Sequence, residues 1–240
     1  MASDLKQARA LIGAGQVVVN DTCSDKAGNL HDDAVDIRLK TLRRYVSRGG
    51  LKLEKALSSY QINGEGLVCI DVGASTGGFT DCLLQHGVKC VYAVDVAYGQ
   101  LAWKLRQDPR VIILERCNAR NLTADEIPIP LDLAVIDASF ISLETLIPPL
   151  LPLFGKSIHI LALIKPQFEL PREMVEKGGV VRNEMYRRQA IEKITDFACH
   201  LGLTVAGTVQ SPIRGPKGNK EFIISLQGTH RENHVTPSGA

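Results

Sequence analysis

The 240 residues are 45% hydrophobic and 22% charged, with a net charge of +2, as expected of an ordinary globular domain with a small appendage. That balance gives no bulk electrostatic argument for or against nucleic acid. Six cysteines (Cys23, Cys69, Cys82, Cys90, Cys117 and Cys199) form no C-x-x-C pair, and the six histidines show no metal spacing. This speaks against a zinc site or a disulfide framework and fits small core thiols in a reducing cytoplasm. The longest apolar stretch, Leu146 to Ile164, is broken by Pro148, Pro149, Pro152, Gly155, Lys156 and His159, too interrupted to span a bilayer. No signal peptide opens the chain, so a cytoplasmic protein with no metal and no membrane segment is expected.

Residues 4–20 carry a short amphipathic helical pattern in Leu5, Ala8, Leu11 and Ile12. Gly13-Ala-Gly15 and the strand-like Gln16-Val-Val-Val-Asn20 follow. After a turn near Asn29, residues 34–40 read as another short strand. The run "ARALIGAGQVVVND" followed by "VDIRLK" resembles the second half of an S4-type RNA-binding domain. That family normally begins with an additional helix, so the module is either shortened or its recorded start is late. A small packing cap is the alternative. Residues 1–42 are assigned to this S4-like α+β module. Residues 43–66 are assigned to a basic linker and helix, and residues 38–55 are the most basic segment, with Arg38, Lys40, Arg43, Arg44, Arg48, Lys52 and Lys55 against Glu54 alone. Beside Tyr45, such a run favours phosphate contacts, a solvated face being the plainer reading. Leu51, Leu53, Ala56 and Leu57 give the helix its apolar side.

From residue 67 to 227 strands and helices alternate, which predicts an α/β domain with a mostly parallel sheet. Strands are expected at 67–72, 90–95, 111–115, 132–137, 158–164, 203–210 and 221–226, and helices at 78–86, 98–106, 142–151 and 184–201. The last two strands, joined without a helix, form an antiparallel hairpin. Five parallel strands closed by a hairpin resemble the seven-stranded Rossmann-like class I methyltransferase sheet. The polar tail, 228–240, is expected to be flexible.

Leu67 to Thr80 reads as strand, glycine turn and helix. Gly73, Gly77 and Gly78 let the backbone turn and approach a ligand, but Ser75 stands where a dinucleotide fingerprint needs its second glycine. A ligand without pyrophosphate fits better. Asp71 at a strand end suits an ammonium group, and Asp95, in Ala93-Val-Asp-Val, suits a ribose hydroxyl pair. Ribose, amine and no phosphate point to S-adenosylmethionine.

Chemistry in such a sheet gathers outside the carboxyl ends of the strands. Asp137 and Lys165 end neighbouring strands, Pro166 stopping the second at the lysine. Glu221 begins the final, antiparallel strand at the same edge, and Lys52 arrives from the basic helix. Surface ion pairs would explain any one of these residues, but not four around one site. Methyl transfer to an alcohol needs a base. A lysine serves when burial or a neighbouring cation draws its pKa down from about 10.4.

Residues Asp71–Thr80, "VDVAYGQLAWKLRQDPRV", "ERCNARNL", "VIDASFISL", "LIKPQFE" and "GNKEF" together resemble the TlyA family over about residues 5–226. These S-adenosylmethionine-dependent ribosomal RNA 2′-O-methyltransferases are related to the FtsJ enzymes and historically also labelled haemolysins. The resemblance implies a Lys52, Asp137, Lys165, Glu221 tetrad with Lys165 as base, and a cytidine of ribosomal RNA as target. Forms with a shortened N-terminal part are expected to act on fewer sites. The expected cofactor set is Asp71, Gly73, Ala74, Ser75, Thr76, Gly77, Gly78, Phe79, Asp95, Asn118 and Asp137. FtsJ relatives carry Ala-Pro in place of Ser75-Thr76, and an acid in place of Asn118.

Arg43, Arg44, Arg48, Arg214, Lys217 and Lys220 are the expected RNA contacts. Phe79, Trp103 and Phe140 are candidate stacking residues, with core packing as the alternative and, for Trp103, the reading that the resemblance implies. Cys117 follows the third strand, away from Asp137, so cytosine C5 methylation is rejected. Two other functions compete. A non-catalytic RNA-binding or ribosome-assembly factor would not need all four tetrad residues. A haemolysin would need a membrane-inserting segment that the sequence lacks.

Overall fold

The computed structural model describes residues 2, 4–39 and 44–230, which fall into two units, Met1–Arg44 and Tyr45–Ala240. In the first, α1 (Leu5–Gly13) starts where the Asp4 carboxylate accepts from the Gln7 amide at 2.8 Å, satisfying one orphan donor of the first turn. The strands β1 (Val17–Val19), β2 (Thr22–Ser24) and β3 (Ile37–Leu39) form an antiparallel sheet with β1 central. Asn20 and Asp21 both take positive φ (44° and 65°), the two-residue turn whose twist suits a hairpin. Sequence reading missed β2, since a three-residue strand carries almost no pattern.

The second unit opens with α2 (Gly49–Ser59), then β4 (Val68–Val72), α3 (Gly78–Gln85), β5 (Cys90–Asp95), α4 (Trp103–Arg106) and β6 (Val111–Glu115). It continues with β7 (Leu133–Ile136), α5 (Leu143–Leu150), β8 (Ser157–Ile164), α6 (Pro166–Glu169), α7 (Glu184–His200), β9 (Thr204–Gln210) and β10 (Phe222–Thr229). The sheet order is β6-β5-β4-β7-β8-β10-β9, parallel except for β10, which pairs antiparallel with β8 and β9. This is the predicted α/β architecture with its closing hairpin. The strand order reverses at β4, whose neighbours are β5 and β7, so a crevice opens beyond its carboxyl end.

The central strands β4, β5, β7 and β8 are mostly apolar because both sheet faces are covered there. Val68, Ile70 and Val72 of β4 enter one core with Ile136, Leu146, Ile147 and Ile194. Cys69 faces the other, with Leu53, Leu57, Phe79, Leu83 and Leu133. Burying a leucine such as Leu53 or Leu57 contributes about 1.5–3 kcal/mol.

Four expectations need correction. The basic helix is no linker, since α2 lies within the second unit, which begins at Tyr45. The helix expected at 98–106 shortens to α4, because Gly99 takes φ +76° and gives its amide to Glu115 Oε1 at 2.9 Å. Trp103, expected to pack, is 71% exposed. The tail begins later than residue 228, for β10 stays paired to Thr229, opposite Ser157, while residues 231–240 lie outside the described residues. No helix among the described residues is long and apolar enough to cross a membrane.

Candidate active site

The turn after β4 is built by its glycines. Gly73 takes φ +85° and passes so close to β7 that a Cβ there would lie 2.9 Å from the Asp137 carbonyl. Gly77, at φ +93°, precedes α3, and a Cβ there would lie 2.2 Å from Leu105 Cδ1. Asp95 ties this turn to the next one. Its Oδ2 accepts from the Ser75 amide at 2.7 Å and its Oδ1 from Ala97 at 2.8 Å.

Asp71 does not do what its position in the sequence led us to expect. Side chains alternate along β4, so while Val72 lines a cavity, Asp71 points to the opposite face and is fully buried. Its Oδ2 accepts from the Thr80 amide at 2.9 Å and the Thr80 hydroxyl at 2.6 Å, locking α3 to the sheet. Oδ1 has no partner among the described residues. Burial raises its pKa from 3.8 to about 7, against the lowering by the Thr80 bonds, with the nearby charges of Asp137 and Asp95 adding to the rise.

Lys52, Asp137, Lys165 and Glu221 do come together. Lys165 Nζ lies 2.6 Å from Asp137 Oδ1, and it also donates to the Ser139 hydroxyl and the Ala138 carbonyl, both at 2.9 Å. Lys52 Nζ lies 3.3 Å from Asp137 Oδ2 and 2.7 Å from Glu221 Oε2. The result is a continuous chain, Lys165–Asp137–Lys52–Glu221, in which Glu221 is 1% exposed and Lys52 7%. Register explains half of it. Phe222 pairs with Ile164 in the antiparallel ladder, which puts Glu221 beside Lys165 at one sheet edge. Close helix packing explains the rest. A Cβ on Gly78 would meet the Ser47 hydroxyl at 2.2 Å and the Gly50 amide at 3.0 Å, so α2 and α3 touch through glycine and carry Lys52 over the end of β7. Asp81 Oδ2 fastens the approach by accepting from the Val46 amide at 2.7 Å.

Two cavities meet at Gly73, Ser75, Asp137 and Ser139. The larger, about 460 Å³, lies at the strand-order reversal and includes Asp95, Gln100, Asn118 and Phe140. The carboxylates Asp95 and Asp137 line it, and among the described residues no lysine, arginine or histidine does. The smaller, about 310 Å³, includes Arg48, Lys52, Lys165 and Arg214. One cavity suits a cationic nucleoside and the other a polyanion, and the chain of charges runs along their seam. A third cavity, of about 240 Å³, lies on the other side of Lys165, between Phe140, Phe168 and Gln167.

Other expected residues divide between these places. Ala74, Thr76, Gly78 and Phe79 line the basic cavity rather than the acidic one, while Gly77 lines neither and only shapes the turn. Asn118 is in the acidic cavity with its Oδ1 taken by the Arg120 amide at 3.1 Å. Phe140, held at φ +64°, is 90% exposed and is not core. Lys217 lines the third cavity, and Lys220 reaches Glu184 at 3.9 Å. Arg44 belongs to the first unit, and Arg43 lies outside the described residues. Cys117 lines the acidic cavity together with Asp137, so distance was the wrong reason for rejecting it as a nucleophile. Burial raises its thiol pKa, which disfavours the thiolate. Ser139 and Gln167 were not foreseen, because single polar residues in short segments carry no periodic signal.

The family model of the FtsJ-like methyltransferases matches residues 45–228. The chain belongs to the FtsJ-like methyltransferase family. This FtsJ-like chain is 43% identical over 229 residues to the Mycobacterium tuberculosis protein named 16S/23S rRNA (cytidine-2′-O)-methyltransferase TlyA, covering 95% of this chain and 85% of that one. YqxC of Bacillus subtilis, whose name marks it as a candidate rRNA methyltransferase, is 45% identical over 241 residues, covering 99% and 86%. Among solved structures, a candidate haemolysin from Streptococcus thermophilus aligns with a TM-score of 0.77 at 43% identity, covering 99% of this FtsJ-like chain and 87% of that one.

Proposed function

We infer that this protein is an S-adenosylmethionine-dependent methyltransferase that modifies a ribose 2′-hydroxyl, that of a cytidine, in ribosomal RNA. The observation that carries this reading is the seam. A chain of two lysines and two acids lies where an acidic cavity meets a basic one. A cofactor bearing a sulfonium and an ammonium fits the acidic side, where among the described residues no lysine or arginine pairs with the Asp95 carboxylate. Kinship with proteins named for cytidine-2′-O-methylation supports RNA as the occupant of the basic side.

S-adenosylmethionine, when bound, supplies an electrophilic methyl group on a sulfonium. The Asp95 carboxylate, already fixed by two backbone amides, has lone pairs to accept from the cofactor's ribose hydroxyls, and Asn118 offers its amide to the adenine edge. Arg48 and Arg214 would hold the RNA backbone through phosphate contacts in the basic cavity. Lys165 would take the proton of the target 2′-hydroxyl at Nζ as its oxygen bonds the methyl carbon and the carbon–sulfur bond breaks, the electron pair leaving on the cofactor's sulfur. Asp137 orients that nitrogen at 2.6 Å, while Lys52 and Glu221 hold Asp137 from behind. General-base help contributes roughly 10²–10⁴-fold, and alignment of the reacting groups adds to it. The exposed ring of Phe140, at the border of the acidic and third cavities, is placed to stack on the target base.

Incubation of the protein with methyl-labelled S-adenosylmethionine and purified small or large ribosomal subunits lacking the modification tests this reading. Label is expected in the RNA of at least one subunit. Tight cofactor binding with no label in either would refute it.

A further inference from the structure

Beside the four charged residues of the seam lies a fifth buried acid that the methyl transfer does not use. Glu169, at the end of α6, is 4% exposed. Its Oε2 accepts from the Ser142 hydroxyl at 2.5 Å and its Oε1 from the Leu143 amide at 3.0 Å, both at the start of α5. Capping α5 does not require it, since the Ser142 hydroxyl oxygen already accepts from the Glu144 amide at 3.2 Å.

What the two bonds close is a ring. One side is α6, which follows directly from Lys165, whose carbonyl accepts from the Phe168 amide at 2.8 Å. The other side is the segment from Asp137 to Ser142. Lys165 joins the two at one end, where Nζ donates to the Ala138 carbonyl and the Ser139 hydroxyl, both at 2.9 Å. Glu169 joins them at the other. Between these fastenings Phe140 stands at φ +64°, a left-handed conformation that a bulky residue keeps only where its surroundings enforce it. The ring is braced from α7, for Lys193 Nζ lies 2.9 Å from the Glu169 carbonyl and 2.7 Å from Glu144 Oε2.

We propose that Glu169 is a positioning residue: by clamping Ser142 and Leu143 to α6, it keeps Ala138 and Ser139 where they seat the Lys165 side-chain nitrogen. The proposal rests on the methyl-transfer reading, in which that nitrogen must face a ribose hydroxyl. Without the clamp, Phe140 is free to leave its left-handed conformation, and the Ala138 and Ser139 oxygens shift with it. Nζ then keeps Asp137 but loses the two contacts that fix its direction. A displacement of about 1 Å at a reacting group, caused by a change made elsewhere, costs about 10²-fold in rate.

The test measures single-turnover methylation at saturating cofactor and ribosomal subunits, with cofactor affinity and unfolding midpoint alongside. The proteins are wild type, Glu169→Gln, Glu169→Leu, Ser139→Ala and the double variant Glu169→Leu/Ser139→Ala. Glutamine keeps an oxygen for the Leu143 amide and an N–H for the Ser142 oxygen, so its rate should stay within about 3-fold of wild type. Glu169→Leu should lose about 10- to 100-fold while cofactor affinity stays within about 2-fold. In the Ser139→Ala background, where part of the seat is already gone, the same leucine should cost less than about 3-fold, because both changes act on one network. A merely structural role would give losses that multiply. Multiplying losses, equal losses with glutamine and leucine, or a folded Glu169→Leu protein at the wild-type rate would overturn the proposal. If Glu169→Leu does not fold, Ser142→Ala removes one of the two bonds from the opposite side and takes its place in the cycle, judged by the same outcomes. Failure of wild type to label the subunits would instead sink the methyl-transfer reading.

Discussion

Replacing Lys52 with methionine would keep the length of the side chain and remove its charge from the middle of the seam. Lys52 Nζ is the only cation within 4 Å of Glu221 among the described residues, at 2.7 Å, and it shares Asp137 with Lys165 at 3.3 Å. Without it, a carboxylate that is 1% exposed loses its counter-ion and Asp137 loses one of two. Removing one partner of a buried pair costs about 3–5 kcal/mol, and at roughly 2–4 °C per kcal/mol for a domain this size the midpoint should fall by about 6–20 °C. The double variant Lys52→Met/Glu221→Gln removes the stranded charge and should recover most of that loss. It should not recover activity, because Asp137 would still lack its second support. Thermal unfolding and single-turnover methylation of the three proteins decide the matter. If Lys52→Met unfolds within 0.5 kcal/mol of wild type, a figure typical of surface substitutions, the chain of charges is not energetically coupled.

The burial of Asp71 predicts a pH dependence of unusual sign. Its carboxyl, raised from 3.8 to about 7, keeps a proton in the folded state that the unfolded chain has lost. Its contribution to stability is therefore full below pH 3.8, falls as pH rises towards 7 and is level above. The whole change is about 4 kcal/mol at 1.36 kcal/mol per unit. Asp71→Asn should flatten this slope, so urea midpoints of the two proteins should diverge between pH 4 and 7, and parallel profiles would contradict the assignment. Gly50→Ala should be disruptive, since its Cβ would fall 2.3 Å from the ring of the buried Tyr45. Overpacking of this kind costs about 1–3 kcal/mol and would shift the helix turn that carries Lys52, so activity should fall with stability. At Gly49→Ala the nearest obstacle is the Ser47 hydroxyl at 3.2 Å, a movable group, and the loss should be smaller by both measures.

Sequence made the central strands readable because they are buried on both faces, so β4, β5, β7 and β8 appear as apolar runs ended by a glycine, an acid or Pro166. The tetrad was legible for a related reason, since all but Lys52 stand at strand termini. Misreadings arose where a local pattern met a stronger constraint. Leu101 and Leu105, four residues apart, share one helical face and are buried, but the left-handed Gly99 keeps the start of that segment out of the helix, and Trp103, on the other face of α4, lies in solvent. Asp71 was assigned to the ligand because it ends a strand, whereas the two-residue alternation of β4 sends it to Thr80. Ser139 and Gln167 emerge only when the folded chain brings Lys165 against one and leaves the other without a donor.

The central claim is that the two-lysine, two-acid chain moves a methyl group to ribose. The most direct measurement digests labelled subunit RNA to nucleosides and asks where the label resides, for wild type and Lys165→Ala. Label is expected in 2′-O-methylcytidine with the wild-type enzyme. It should fall by at least 10²-fold with the variant while cofactor affinity is retained. Label on a base atom, or full activity in Lys165→Ala, would contradict the account.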